Sequence, residues 1–550
     1  MSTPPMNTTD LHPGQPADTK AFIFLVLVAL FAVLFNLGGR PIEAKDYVRY
    51  PEIGREILEY NDWVLLHLNG SLYVDKPPLH FWLIACSYKL FGVNPFSARL
   101  PSALAALGGV LLTFFFARRI FDGTETAFMA AIILLSTYDY MWWARRTRID
   151  MIFALLFAAS LLCFYCGCAA DAGKRKAIWY LAFWFATGLA FMDKAFIALA
   201  NLVVVIPYSV LVARRTEGGR VSPGLFTLTS PCLLLPVLPW VIALVSHPQF
   251  SAFWEVLQRT KIMDRQESFY YYLVQMPLKL LPAAPFLAMG IWGFARYRKY
   301  LSHRPELDFA MLWIVSYLAI LHLTVAKSGR YLLPLYLPAA MMSAWAIQFF
   351  LAKRNAIVAA VIRWGDRILL SVAALSIFSP LFVAYHYHVS LLPAVFYSLA
   401  LGAAMVLFRR FLPYKTAGLF VSFILLLLVI DVNDTVGREK ASVYYQMNHI
   451  LKNARLEAGQ IAFHGCDSRA QEAISFYFNH TIACSEKWSA INSSPKIRAI
   501  VTTRSAIKEE IARGDIQNRG RIIYMDKGWV IYIKKSVTPG SMRSARRCAP

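Results

Sequence analysis

The chain has 550 residues, 57% hydrophobic and 16% charged. That balance excludes a soluble globular protein, whose residues are nearer half apolar and a quarter charged. The formal charge of +23 does not point to nucleic acid, because the basic residues are scattered between apolar runs with no nucleic-acid-binding signature, and membrane proteins gain Lys and Arg from orientation alone.

Met1–Thr19 is polar and contains proline but lacks a basic n-region, so Phe22–Leu37 reads as a retained first span rather than a cleaved signal peptide. From there to Ile430, apolar runs of about 18 residues or more recur, each long enough to cross a bilayer as a helix. A β-barrel is excluded because its strands would alternate apolar and polar residues. Basic clusters fall in every second gap: Arg118/Arg119, Lys174–Lys176, Arg214/Arg215/Arg220, Arg296–Lys299, Lys353/Arg354 with Arg363/Arg367, and Arg409/Arg410 with Lys415. Placing all of them in the cytoplasm satisfies the positive-inside rule. It predicts about thirteen spans, at 22–38, 97–117, 126–143, 150–170, 177–193, 195–213, 225–246, 270–294, 307–326, 331–351, 367–386, 389–408 and 416–431. Pro77–Gly92 is apolar but short, and counting it as a span would turn the basic clusters outward, so it is expected to be an interfacial helix.

The expected fold is thus an all-α polytopic membrane protein. Its membrane domain covers 1–431 and includes a first outer loop, 39–96. An odd span count puts Val432–Pro550 outside. That segment changes character, with a helical stretch near Ala441–Leu456 and strand-like runs at Gln460–Phe463 and Ile497–Thr503. A hairpin, Arg521–Met525 and Trp529–Lys534, turns at Asp526-Lys527-Gly528. This predicts a small α/β domain with a disordered basic tail, Gly540–Pro550. Cys466 and Cys484 lie within it, as a disulfide in an oxidising compartment or as two separate thiols.

The predicted outer loops carry cations where the positive-inside rule expects few: Lys45, Arg49, Arg55, Lys76, Arg145, Arg146, Arg148, Lys194, Arg259, Lys261, Arg265, Lys327 and Arg330. Any one of them is as well explained by snorkelling, but the set as a whole points to phosphate, which Arg binds as a fork and Lys as a point charge. Carboxylates accompany them: Glu43, Asp46, Asp75, Asp150 and Asp193. Asp193 reads as a simple neutraliser of Lys194. Asp46, beside Lys45 and Arg49, is expected to stay charged. No spacing matches a strong metal motif, and Asp75, His80 and His247 are the candidate ligands should a divalent metal bind.

Several of these segments resemble a known family. Asp46…Arg49-Tyr50-Pro51-Glu52, Asp62-Trp63, Tyr73…Asp75-Lys76-Pro77-Pro78, Ala98-Arg99-Leu100-Pro101-Ser102, Arg148…Asp150, Lys194, Tyr271/Tyr272 with Leu281-Pro282, and Lys327…Arg330-Tyr331…Pro334 together resemble the protein O-mannosyltransferase-like superfamily of GT-C glycosyltransferases. Within it they are most similar to the bacterial lipid A aminoarabinose transferases, over roughly residues 38–340. Two departures stand out: Tyr47 replaces the second acid of a first-loop Asp-Glu pair, and Asp75 replaces a Glu before the Lys-Pro pair.

The resemblance implies transfer of 4-amino-4-deoxy-L-arabinose from undecaprenyl phosphate to lipid A phosphates at the periplasmic face of the bacterial inner membrane, conferring resistance to cationic peptides such as polymyxin. It implies no obligatory cofactor. The implied catalytic residues are Asp46, Lys76 and Asp150. Lys76, Arg330, Tyr331 and Tyr336 are the candidates for the donor phosphate, and Arg49, Arg148, Lys194, Arg259 and Lys261 for the acceptor. A phosphate acceptor, with its second pKa about 6, is largely ionised already and needs a strong base less than a hydroxyl does. The rival readings are a sister enzyme acting on a protein or another glycolipid, and a lipid-linked-sugar transporter. Paired halves with matching broken helices would mark a transporter, and the sequence has no such internal symmetry.

Overall fold

The structure is a computed structural model that describes residues 16–42, 46–121, 123–171, 173–212, 221–259, 267–298, 304–324, 327–387, 390–465, 469–513, 520–525 and 529–534. Lys45, Lys261, Arg265, Cys466, the Asp526–Gly528 turn and the Gly540–Pro550 tail lie outside them, as does the side chain of Asp46.

The chain opens with α1 (Pro16–Leu34) and α2 (Asp46–Tyr60), then a hairpin of β1 (Leu66–Leu68) and β2 (Ser71–Tyr73). Asn69 and Gly70 both have positive φ, the conformation a two-residue hairpin turn requires. The Glu56 carboxylate accepts from both of their backbone N–H groups, at 2.7 and 3.1 Å. Next comes α3 (Leu79–Phe91), 13 residues or about 20 Å long, which is short of a hydrocarbon core of about 30 Å. It packs on α2 at Gly54, where a Cβ would lie 2.5 Å from Ile84 Cγ2.

The helices that follow are α4 (Pro95–Ile120), α5 (Thr124–Ser136), α6 (Tyr138–Ala144), α7 (Ile149–Ala169), α8 (Lys174–Lys194), α9 (Leu202–Leu211), α10 (Pro223–Leu228), α11 (Leu234–Val245) and α12 (Phe250–Arg259). The second half holds α13 (Tyr271–Lys279), α14 (Ala284–Arg296), α15 (Pro305–Leu323), α16 (Leu333–Ala352), α17 (Ala356–Ser376), α18 (Ser379–His386), α19 (Leu391–Phe411) and α20 (Gly418–Ala441). Among the described residues, nine helical segments are long and apolar enough to cross a membrane, or ten with the bent pair α13 and α14. Each of the thirteen predicted spans falls largely on helix.

Two places show what hydropathy could not. The stretch Lys174–Leu211 is helical throughout, and 38 residues at about 1.5 Å each would overshoot any bilayer. At Ala195 (φ 54°) the α-helix gives way to a 3-10 turn, Ala195–Asn201, that folds back so that Asn201 donates to Thr187 at 2.8 Å. The predicted single span 270–294 is broken: α13 and α14 meet at 114°, across a Pro282-Ala283-Ala284-Pro285 stretch whose two prolines lack helix donors.

After α20 come α21 (Val443–Asn453), β3 (Ile461–His464), α22 (Arg469–Phe478), β4 (Ala483–Ser485), α23 (Trp488–Asn492), β5 (Ala499–Thr503), α24 (Arg504–Ala512), β6 (Gly520–Tyr524) and β7 (Trp529–Lys534). The five strands form one mixed sheet in the order β4-β3-β5-β7-β6, with β3 parallel to β4 and β5 and the other pairs antiparallel. The predicted strands at 460–463 and 497–503 and the hairpin are present as β3, β5 and β6–β7, while β4 and three short helices were not predicted. Cys484 is disulfide-bonded, to a partner outside the described residues.

The first loop and this sheet region share a core. Val48, Ile53, Tyr73, Phe81, Ile84, Tyr88 and Ile149 pack with Ala473 and Phe476 of α22. Beside that core, buried Arg55 donates to Glu52 at 2.9 and 2.7 Å, pairs with Glu59 at 2.7 Å, and donates to Thr481 at 2.8 Å. One guanidinium therefore ties two carboxylates of α2 to the turn before β4. Burial pushes the Glu52 carboxyl up to about 8 against the pull of Arg55, and Glu56, which shares a hydrogen bond with it, is also raised.

Candidate active site

Four chain segments converge beneath the first loop. The Asn94 side chain caps α4 by accepting from Phe96 and Ser97 N–H, both at 3.0 Å. Two turns along, the Ser102 hydroxyl donates to the Arg148 carbonyl (3.1 Å) and accepts from its N–H (3.3 Å), which fixes the start of α7. The Arg99 guanidinium donates to the carbonyls of Leu37, Arg40 and Pro41 at 2.8–3.1 Å and ties the end of the first span to the same place. The predicted motif around Ala98–Ser102 is thus a positioning device.

At the start of α7 the buried Asp150 accepts from Lys194 Nζ at 2.6 Å, across from the end of α8. Arg330 Nε lies 3.6 Å from the same oxygen, carried by the 3-10 turn Gly329–Leu332 that opens α16. Arg148 is within electrostatic reach as well, with its guanidinium 5.5 Å from the Tyr50 ring. Lys194 lies over the rings of Phe153 and Tyr331, at 4.6 and 5.5 Å. Three cations thus gather around one buried carboxylate.

The first loop closes one side. The buried hydroxyl of Tyr73 has Tyr50, Asp75, Arg49 and Arg148 in electrostatic reach, and burial holds its pKa well above the usual value. Half-buried Lys76 follows and faces Asp193. His80 is fully buried, and neither ring nitrogen has a hydrogen-bond partner among the described residues. Burial lowers its pKa to about 3, so it is neutral and offers one donor and one acceptor.

Asp150, Lys194, Arg330, Tyr331 and Arg148 therefore come together, with Lys76 beside Asp193, while Arg49 is partly exposed and lies 3.9 Å from Glu472 of α22. Tyr336 does not join them: its buried hydroxyl donates to Asp139 at 2.8 Å, so its one proton is committed there. Arg259 is exposed on α12 and pairs with Glu255 at 2.6 Å, and Lys261 lies outside the described residues. The candidate metal ligands do not converge: Asp75 is exposed, His80 is enclosed beside the cations, and His247 sits 3.7 Å from Asp62. Among the described residues no group of three or more His, Cys, Asp or Glu could hold a metal ion.

A second polar cluster next door was not foreseen from the sequence. Asp139 of α6 accepts from Lys279 at 2.7 Å, Tyr336 at 2.8 Å and Trp143 Nε1 at 3.0 Å. Lys279 is the last residue of α13, at the break, and its side chain crosses Gly329, where a Cβ would lie 2.4 Å from its Cε. The glycine lets the Lys279–Asp139 pair brace the turn that carries Arg330. Both residues interrupt predicted apolar spans, and an ionisable group inside a span was the available signal. Between α7 and α16, Met151, Ala154, Leu333 and Leu337 line a small apolar cavity of about 10 Å³.

Residues 75–243 match the family model described as dolichyl-phosphate-mannose-protein mannosyltransferase. The undecaprenyl phosphate-alpha-4-amino-4-deoxy-L-arabinose arabinosyl transferase 2 of Proteus mirabilis is 31% identical over 329 residues, 58% of each chain. The corresponding transferase of Aeromonas hydrophila is 32% identical over 327 residues, again 58% of each. The match thus spans 58% of the length of these curated relatives. Among solved structures, ArnT from Cupriavidus metallidurans bound to undecaprenyl phosphate superposes with a TM-score of 0.70 at 20% identity, covering 94% of this chain and 98% of that one. The apo form of the same protein gives the same TM-score at 21% identity. The chain is a polytopic membrane protein with the fold of the Cupriavidus metallidurans ArnT, similar in sequence to the undecaprenyl phosphate-aminoarabinose arabinosyltransferases over 58% of its length.

Proposed function

We propose that the protein transfers 4-amino-4-deoxy-L-arabinose from undecaprenyl phosphate to phosphate groups of lipid A, at the periplasmic face of a bacterial inner membrane. The observation that carries this reading is the convergence of Lys194, Arg330 and Arg148 on the buried Asp150. A lipid-linked phosphate suits that gathering of cations. The activity named for the relatives agrees with it. Residues 1–431 are read as the transferase body with the loop 39–96, and 432–550 as a second domain on the same side.

In this reading Lys76 and Arg330, with Tyr331 beside them, hold the donor phosphate and stabilise the charge that grows on it as the glycosidic bond breaks. Fixed cations in a site drier than water do this without reorganising. Asp150 acts mainly as their anchor, since Lys194 and Arg330 already occupy it. Arg148 and Arg49, on the first-loop side of the site, draw in the acceptor phosphate, which needs no strong base. Asp46 orients the acceptor from the start of α2. An amino sugar on lipid A phosphate offsets its negative charge, the physical basis for weaker attraction of cationic peptides such as polymyxin.

The description of the matching family favours one alternative, a protein hydroxyl as acceptor. That reaction would require Asp46 or Asp150 as base. The deciding experiment is mass spectrometry of lipid A after incubation with purified protein and undecaprenyl-phosphate aminoarabinose, with Lys76→Ala as control. An aminoarabinose increment on lipid A, lost in the variant, is the expected result. A glycosylated peptide with unmodified lipid A would establish the alternative. Donor moved intact across vesicles would overturn both in favour of transport.

A further inference from the structure

Asp193 and Lys194 are neighbours in sequence but point apart. They close α8 about 100° apart around the helix, so they cannot serve one partner. The Lys194 ammonium goes to Asp150 at 2.6 Å. Asp193 is fully buried, and neither of its carboxylate oxygens has a hydrogen-bond partner among the described residues. Among those residues it is the only buried carboxylate left in that state. Its electrostatic neighbours are Lys194, Asp150 and Lys76, so it borders the cationic site from the α3 side.

A buried carboxylate with no hydrogen bond is costly, and such exceptions call for a ligand or a functional reason. The two acid groups of the site divide the work: Asp150 is occupied by two cations, and both enclosed oxygens of Asp193 lack a hydrogen-bond partner among the described residues. A cationic donor supplied by a ligand would satisfy those oxygens and favour their charged form. His80 across the site is neutral and suits hydroxyls, so it cannot fill that role or compete for it.

We propose that Asp193 is the amine-binding subsite, holding the protonated amino group of the transferred sugar and selecting an amino sugar over its neutral counterpart. The inference rests on the transferase reading and deepens it by naming the residue that recognises the sugar. The ammonium donates to the Asp193 carboxylate while the sugar phosphate lies between Lys76 and Arg330, so the zwitterionic head of the donor meets charges of opposite sign at both ends.

The test measures binding of two donors to the full-length protein in detergent: undecaprenyl phosphate carrying aminoarabinose, and the same lipid carrying arabinose, with a hydroxyl in place of the amine. The wild type is expected to prefer the amine donor by about tenfold or more, the difference between a charge-assisted and a neutral hydrogen bond. Asp193→Asn should collapse that preference toward parity, and Asp193→Glu, which keeps the charge, should restore part of it. A wild-type ratio near one overturns the inference whether or not the variants fold. So does an equal loss on both donors in Asp193→Asn. Transfer to lipid A, followed in parallel, separates the two readings. Transfer with a ratio near one sinks the subsite alone, and amine preference without transfer sinks the acceptor alone. Binding of neither donor overturns both.

Discussion

Lys194 shows how far sequence adjacency misleads at the residue scale. Next to Asp193 in the chain, it is bonded instead to Asp150, 44 positions away, because helices bring α7 and α8 side by side while turning successive residues apart. The cations of the site were legible one by one, since each stands at the end of an apolar run. Their partners were not. Tyr336 likewise answers to Asp139 rather than to the phosphate site, a pairing 197 residues apart. The buried Asp150–Lys194 pair yields a direct prediction. Lys194→Met takes from Asp150 its one close hydrogen-bonded cation and should destabilise the protein by about 3 kcal/mol. The double variant with Asp150→Asn should recover about 2 kcal/mol of that in thermal unfolding. Simple additivity of the two losses would mean that the ion pair contributes nothing.

At the element scale, α2 acts as a clamp between the hairpin and the turn before β4, and its working parts are acidic. Glu52 holds a proton in the folded state, up to about 8, that the unfolded chain releases near 4.5. The folded state thus binds the extra proton across that window, so stability from Glu52 is complete below about 4.5 and is lost as pH rises through about 8. The unfolding midpoint should therefore fall between about pH 4.5 and 8, and Glu52→Gln should flatten that slope. An unchanged slope in the variant would place the titrating group elsewhere. Some of this element-scale structure was legible and passed over: Asn69-Gly70 between two apolar stretches is a strong hairpin signal. The break between α13 and α14 was hidden by hydropathy, which averages over the prolines that cause it.

On the scale of the whole molecule, the C-terminal sheet region is structurally part of the site's roof. Ala473 and Phe476 complete the first-loop core, and the Tyr477 hydroxyl accepts from Ile42 N–H at 2.9 Å. Asp431 and Asp434, at the far end of α20, pair with Arg145 and Arg40 at 2.9 and 2.8 Å, which tethers the last span to the entrance of the first loop. Phe476→Ala should cost about 3 kcal/mol or more and open the loop. Limited proteolysis within residues 46–91 should accelerate in that variant while the membrane helices stay resistant. Cleavage first in the helices would show that the loop stands on its own.

Hydropathy and charge bias by themselves determined the helical membrane class, the run of spans and the presence of a separate α/β segment, because lipid leaves the backbone no other choice and the signals are local. They also marked the face where cations gather. Only the tertiary structure decided which of those cations share a carboxylate, which acid lacks a hydrogen-bond partner among the described residues, where a predicted span breaks and how the first loop is roofed. Each of those depends on contacts between residues tens to hundreds of positions apart, where side-chain direction and packing, not composition, choose the partner.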